Sequence, residues 1–216
     1  MKNALLVILT IFGLGTGLFA QSGGDWELGI NFTPNSSHIF NKQDGDLSSV
    51  KRPFTFGFNT GVSATYYFNE NVGLNFGLQF VQNGQKYETN ILGQTVEGKR
   101  QLSYLRVPVL VHFHNIGGTG LYGRLGPNFD FLVDAQGQGS TDLKGSYRDF
   151  ALGVTGELGY AFTLTEKTRL LLGVQVASTL TNPENDNTVF PGGNNRDHSA
   201  NFNVGLNLGL NFLLNR

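Results

Sequence analysis

The chain has 216 residues, 30 of them Gly and 18 Phe, with 14% charged residues and no Cys. Lys and Arg number 15 against 16 Asp and Glu, so no basic field is present to hold nucleic acid. The lack of thiols excludes disulfides, thiolate metal sites, a cysteine nucleophile and a lipid-modified cysteine. A mean hydropathy of -0.14 argues against a bundle of apolar membrane helices. It suits alternating strands, whose two faces cancel in any average.

The N-terminus reads MKNALLVILTIFGLGTGLFAQ. Lys2 supplies a positive start, Ala4 to Phe19 an apolar run, and Ala20 before Gln21 a small-residue cleavage point. Residues 1–20 are therefore expected to be a secretory signal peptide, leaving 21–216 as one mature domain. The alternative is a retained membrane anchor, for which the run is short and rich in Gly.

Eight segments with period-two patterning follow, the signature of strands with one apolar and one polar face. The first sets Trp26, Leu28, Ile30 and Phe32 against Asp25, Glu27, Gly29 and Asn31. The second sets Phe54, Phe56, Phe58, Val62, Ala64, Tyr66 and Phe68 against Thr55, Gly57, Asn59, Gly61, Ser63 and Thr65. In the third, Val72, Leu74, Phe76, Leu78 and Phe80 oppose Gly73, Asn75, Gly77 and Gln79. In the fourth, Leu105, Val107, Val109, Val111 and Phe113 oppose Arg106, Pro108, His112 and His114. Mid-strand, Pro108 cannot donate to the ladder and is expected to mark a bulge or kink.

The fifth segment is weaker: Leu121, Leu125, Phe129, Phe131 and Val133 oppose Tyr122, Arg124, Asn128 and Asp130, with a bend expected at Gly126-Pro127. The sixth runs Phe150, Leu152, Val154, Leu158, Tyr160 and Phe162 against Ala151, Gly153, Thr155, Glu157 and Gly159. The seventh pairs Leu170, Leu172, Val174 and Val176 with Leu171, Gly173, Gln175 and Ala177. The eighth is the clearest, with Phe202, Val204, Leu206, Leu208, Leu210 and Phe212 on one face and Asn201, Asn203, Gly205, Asn207, Gly209 and Asn211 on the other. Most segments span roughly 9–11 residues, enough to cross a bilayer as tilted strands.

Short connections at Asn69–Asn71, Asn115–Gly120 and Thr165–Thr168 alternate with long polar ones at Thr33–Arg52, Thr89–Lys99, Ala135–Tyr147 and Pro183–His198. Short periplasmic turns and long outer loops are the outer-membrane pattern, and an even strand count puts both termini on the periplasmic side. In that orientation Trp26, Tyr66, Phe68, Phe113, Tyr160, Phe162 and Phe212 gather at the inner rim, and Phe32, Phe54, Phe80, Phe150 and Phe202 at the outer. Two such aromatic belts suit the two bilayer interfaces. A soluble barrel of the lipocalin kind would share the period with its faces reversed. Its exterior would carry Lys and Glu on most strands, whereas the polar face here is Gly, Asn, Ser and Thr. The expected fold is all-β, an eight-stranded antiparallel up-and-down transmembrane β-barrel in the outer membrane of a Gram-negative cell.

The segment Tyr104-Leu105-Arg106-Val107-Pro108-Val109-Leu110-Val111 resembles the "YL-x-[IV]-P-[VL]-L" stretch of Bacteroidota outer-membrane β-barrel-domain proteins. That broad group includes the barrel associated with type IX secretion. The FAQ end of the signal and the Gly/Asn-rich last strand are similar to the same group. Arg106 departs from it, standing where an acidic or apolar residue is common. The resemblance implies a barrel of mostly unassigned function.

Polar side chains expected in the lumen are Glu27, Arg106, Arg124, Asp130, Glu157, His112 and His114, with Arg169 beside them. An eight-stranded interior is just filled by side chains, and buried charges must pair there. The expectation is an internal network in which Arg106 and Arg124 meet Glu157, Glu27 or Asp130, holding the barrel together; a gated ion path is the alternative. His112 and His114 share a face, but no third metal ligand stands out. For an outer-membrane lipid-modifying enzyme the Ser/His pairs on offer are His38 beside Ser36 and Ser37, and His198 beside Ser199. No G-x-S-x-G elbow accompanies them. Asp44-Gly45-Asp46 and the acids Glu184, Asp186 and Asp197 offer calcium ligands without EF-hand spacing. No catalytic residue, metal or cofactor is therefore expected. The expected partners are outer-membrane lipid and an extracellular ligand or secretion-machinery component, with the chain a monomer.

Overall fold

The structure is a computed structural model and describes residues 24–41, 50–51, 54–91, 94–137, 141–185 and 199–214. Residues 1–20, where a signal peptide is expected, Asp44 to Asp46, Asp186, Asp197 and His198 lie outside the described residues. The strands are β1 (Trp26–Asn41), β2 (Val50–Lys51), β3 (Thr55–Tyr67), β4 (Val72–Ile91), β5 (Gln94–Ile116), β6 (Leu121–Gln136), β7 (Phe150–Thr165), β8 (Thr168–Thr179) and β9 (Ser199–Leu213). Each long strand pairs antiparallel with its neighbour in sequence, and β1 closes on β9, which leaves an eight-stranded up-and-down barrel. The two-residue β2 adds to the outer end of β4, outside this cycle.

Period-two alternation gives the wall its two sides. On β9, Leu206 is 63% exposed while Asn207 is buried, and the strand alternates along its length. Ile30, Val62, Leu125, Leu158 and Val174 likewise face outward, exposed in the protein alone and covered by hydrocarbon in a bilayer. Rings meet at both rims: Trp26 with Tyr66 at 5.1 Å and Tyr160 with Phe162 at 4.7 Å at one, Phe40 with Phe202 at 5.7 Å and Phe131 with Phe150 at 5.4 Å at the other.

Two local expectations are corrected. Most strands outrun the bilayer: β4 has 20 residues and β5 has 23, and the expected loop Thr89–Lys99 is largely a hairpin whose register runs to Ile91 opposite Gln94. The expected loop at Thr33 is likewise strand as far as Asn41. Toward that end the inner face turns apolar at Ile39, Val81 and Leu102 while the outer face carries Gln82 and Gln101, so hydropathy loses its period while the backbone ladder continues. Pro108 keeps register where a bulge is one expectation: it pairs with Asn128 in line with Val107 and Phe129, the shifts lie at Ser103/Tyr104 and Phe113/Ile116, and toward β4 the pairing skips from Phe76 with Val109 to Gln79 with Arg106. At Gly126 and Pro127 the register of β6 with β7 runs unbroken, while toward β5 the pairing skips from Asn128 with Pro108 to Leu125 with Val111.

The short turn from β5 to β6 requires glycine. Asn115, Gly117, Gly118 and Gly120 all have positive φ, and a Cβ on Gly120 would meet the Tyr160 ring at 2.9 Å.

Candidate functional site

The lumen is layered along its axis. At the end nearest the start of β1 and the end of β9, Glu27 accepts hydrogen bonds from Arg169 at 3.1 Å, Asn211 at 2.5 Å and the Tyr67 hydroxyl at 3.4 Å. Above it Glu157 accepts from Tyr122 at 2.5 Å, Asn207 at 2.7 Å and Gln175 at 3.2 Å, with Arg124 at 3.9 Å as its counter-charge. Tyr122 finds room there because β7 and β8 carry Gly159 and Gly173, and a Cβ on Gly173 would sit 2.5 Å from its hydroxyl. Higher still, Arg106 and Asp130 make a two-pronged pair at 2.7 and 2.8 Å. Asn128 joins it through Asp130 at 3.0 Å.

Register explains these pairs. Arg106 is the direct strand partner of Asp130 and Arg124 of Glu157, so each ion pair bridges adjacent strands on the inner face. Arg106 and Arg124 do not share a carboxylate, and Glu27 is held by Arg169 rather than by either of them. All six charged side chains are under 9% exposed. Amides link the layers, from Glu157 through Gln175 to Asn59 and on to Asn35.

His112 and His114 lie near the β5–β6 turn with stacked rings 5.9 Å apart. Arg124 donates from Nε to His112 Nδ1 at 3.0 Å, so that nitrogen acts as the acceptor and the ring proton sits on Nε2. His112 Nε2 and Arg124 Nη2 are buried without a protein partner, positions where interior water is the usual partner. Among the described residues no three His, Cys, Asp or Glu side chains converge as a metal site.

The opposite end carries a different chemistry. Ile39, Val81, Leu102, Tyr104, Leu132, Ala135 and Tyr147 form a buried apolar cluster inside the barrel mouth. Sequence patterning does not reveal this layer, because Ile39, Val81 and Leu102 lie on the polar side of their strands. Above the cluster Glu184, itself fully buried, accepts from the Ser199 hydroxyl and faces Arg100 at 3.9 Å. The segment carrying it is tied to the β6–β7 connection: Arg148 N–H donates to Pro183 O at 2.8 Å and Asn185 N–H to Ser146 O at 3.0 Å. The described parts of these two connections, 141–149 and 180–185, thus meet beside the apolar cluster.

Of the Ser/His pairs, Ser37 and His38 are separated by the wall. Ser37 points inward and donates to Thr55 O and Gly84 O, whereas His38 lies on the outer face against Phe40 at 4.6 Å and Phe54 at 5.2 Å. Ser36 shares the outer face with His38, and Ser199 is engaged by Glu184.

A closed antiparallel barrel with an aliphatic exterior, aromatic rims and a charged, paired interior is a small outer-membrane β-barrel. The family model described as the outer membrane protein beta-barrel domain matches residues 19–183, and the chain belongs to that family. Its place is the outer membrane, embedded in lipid. Among solved structures it is similar to the outer membrane protein OprG of Pseudomonas aeruginosa, with 19% identity, a TM-score of 0.51 and coverage of 91% of this chain and 99% of that one. Neisserial surface protein A aligns at 13% identity and TM-score 0.47, covering 87% of this chain and 96% of that one. Ail of Yersinia pestis aligns at 14% and 0.40, covering 88% and 99%. At such identities the likeness speaks to the fold alone. No curated protein matches the chain.

Proposed function

We propose that this protein is a plugged outer-membrane barrel that acts at its extracellular end, as an interaction scaffold or as an accessory to envelope secretion. The observation that carries the reading is the layered closure of the lumen. Three charged clusters cross it, a buried apolar cluster stands at the opposite end, and Glu184 lies buried above that cluster. A side chain held by two to four partners in a low-dielectric interior does not step aside for a passing ion without leaving a charge unpaired. The parts that project past the bilayer are the β4–β5 hairpin and the docked outer connections, and connections on a rigid scaffold are where binding usually resides.

Purified protein in planar bilayers is expected to show no steady conductance steps. Steady steps that vanish in Arg124→Ala would overturn the plugged reading in favour of a narrow channel. The resemblance carried by Tyr104 to Val111 supports a Bacteroidota origin and a place among envelope proteins of that group. Residues 1–20 act as a cleaved signal, so intact-mass measurement of the protein from outer membranes is expected to place the mature N-terminus at Gln21. A mass that retains Lys2 would make the segment an anchor.

A further inference from the structure

We propose that Lys86 and Lys99 form a binding site for the phosphomonoester groups of an outer-leaflet glycolipid. The site lies on the outer wall of the β4–β5 hairpin, where it leaves the bilayer. It rests on the orientation used above, with the long connections outside the cell.

The two lysines are direct cross-strand partners, both exposed. On β4 the inward side chains are Val81, Asn83 and Gln85, each buried, so alternation turns Lys86 outward; on β5 the buried Arg100 and Leu102 do the same for Lys99. Going outward, the same column of pairs reads Phe80 with Leu105, Gln82 with Ser103, Gly84 with Gln101, then Lys86 with Lys99. The wall therefore changes from apolar to amide and hydroxyl to paired ammonium. At about 3.3 Å per residue and a tilt of about 40°, Lys86 stands about 35 Å above Val72 along the barrel axis. The apolar band of such barrels is about 25 Å tall, which leaves the two ammonium groups about 10 Å beyond it, at headgroup level. Phe54 and Phe56, 51% and 89% exposed, end the apolar wall at the start of neighbouring β3.

Like charges placed directly opposite one another destabilise a strand pair unless something neutralises them. One rung farther from the membrane the register sets Glu88 opposite Glu97, with Lys51 opposite Glu88. By register both glutamates stand on the far side of the Lys86–Lys99 rung from the membrane, so the rung presents its two positive charges toward the bilayer. A doubly ionised phosphate at the bilayer surface supplies the missing charge there and accepts from both ammonium groups.

The test uses the full-length barrel in phosphatidylcholine bilayers containing either phosphorylated or dephosphorylated lipid A, with the unfolding temperature as readout. Phosphorylated lipid A is expected to raise Tm by several degrees over the dephosphorylated form. K86R/K99R is expected to keep the gain and K86Q/K99Q to lose it. Without lipid A, K86Q/K99Q is expected to be as stable as the parent or slightly more so, because the repulsion is gone, and this shows that the variant folds. An equal gain in the parent and in K86Q/K99Q, or an equal gain from dephosphorylated lipid A, would overturn the proposal. If millimolar inorganic phosphate added without lipid A reproduces the gain, the lipid source is overturned and free phosphate takes its place. Since the chain has no Cys, Lys99→Cys labelled on intact cells by a membrane-impermeant maleimide tests the orientation separately. Labelling supports it, and protection overturns it whatever the lipid result.

Discussion

Glu157→Ala is expected to destabilise the barrel by about 3–5 kcal/mol, the range for removing one partner of a buried ion pair. The glutamate is 6% exposed and serves four side chains: Tyr122, Asn207, Gln175 and Arg124. Its loss leaves Arg124, also 6% exposed, without its nearest counter-charge and three neutral donors without an acceptor. Unpartnered buried donors each carry a desolvation cost. Urea unfolding in detergent micelles, followed by tyrosine and tryptophan fluorescence, gives the number. Glu157→Gln keeps one amide oxygen as acceptor and is expected to fall between the two. If Glu157→Ala unfolds at the parent midpoint, the layer is solvated and the plugged lumen loses its basis. Pairing it with Arg124→Met removes the stranded charge, and the double variant is expected to recover most of the loss.

Leu206→Arg is expected to cost about 2–4 kcal/mol, the penalty for a cation near the midplane on the lipid face of such a barrel. Leu206 is 63% exposed in the protein alone, so in water the same change would be nearly neutral. The two environments therefore give opposite results for one substitution, and folding titrations into lipid vesicles read the difference. Wild-type behaviour of Leu206→Arg in vesicles would mean that hydrocarbon does not cover this face. Leu180→Arg, on an exposed residue just past the end of β8, is expected to cost far less, because it lies toward the outer interface where the penalty fades.

The fold was legible because a strand sends successive side chains to opposite sides. Leu206 and Asn207 declare opposite surroundings whatever their neighbours are. The same rule misses Ile39, Val81 and Leu102: an apolar residue on the polar side reads as a break in the pattern when it in fact belongs to a buried inner cluster. It also stops short where β4 and β5 leave the bilayer, since polar residues on the outer wall there meet buried polar ones inside, Asn83, Gln85 and Arg100, while the hydrogen-bonded ladder persists. For the lumen, sequence named the charged residues but left their pairings open. Arg106 and Asp130 lie almost symmetrically about the short turn after β5, so their pairing follows from one hairpin.

Arg124 and Glu157 face each other across β6 and β7, whose connection is long and carries a 3-10 turn at Lys144–Ser146, and loop length fixes no register there. Glu27 and Arg169 are not even on adjacent strands, because β9 lies between β1 and β8. Only closure of the sheet brings them within reach. The sequence by itself determined which side of the wall each strand residue occupies, since that is set by a local period and by the solvent on each face. The tertiary structure alone decided which charges neutralise one another and which connections meet beside the apolar cluster. Those depend on barrel stagger and on how two outer connections dock, and neither is written in any single strand.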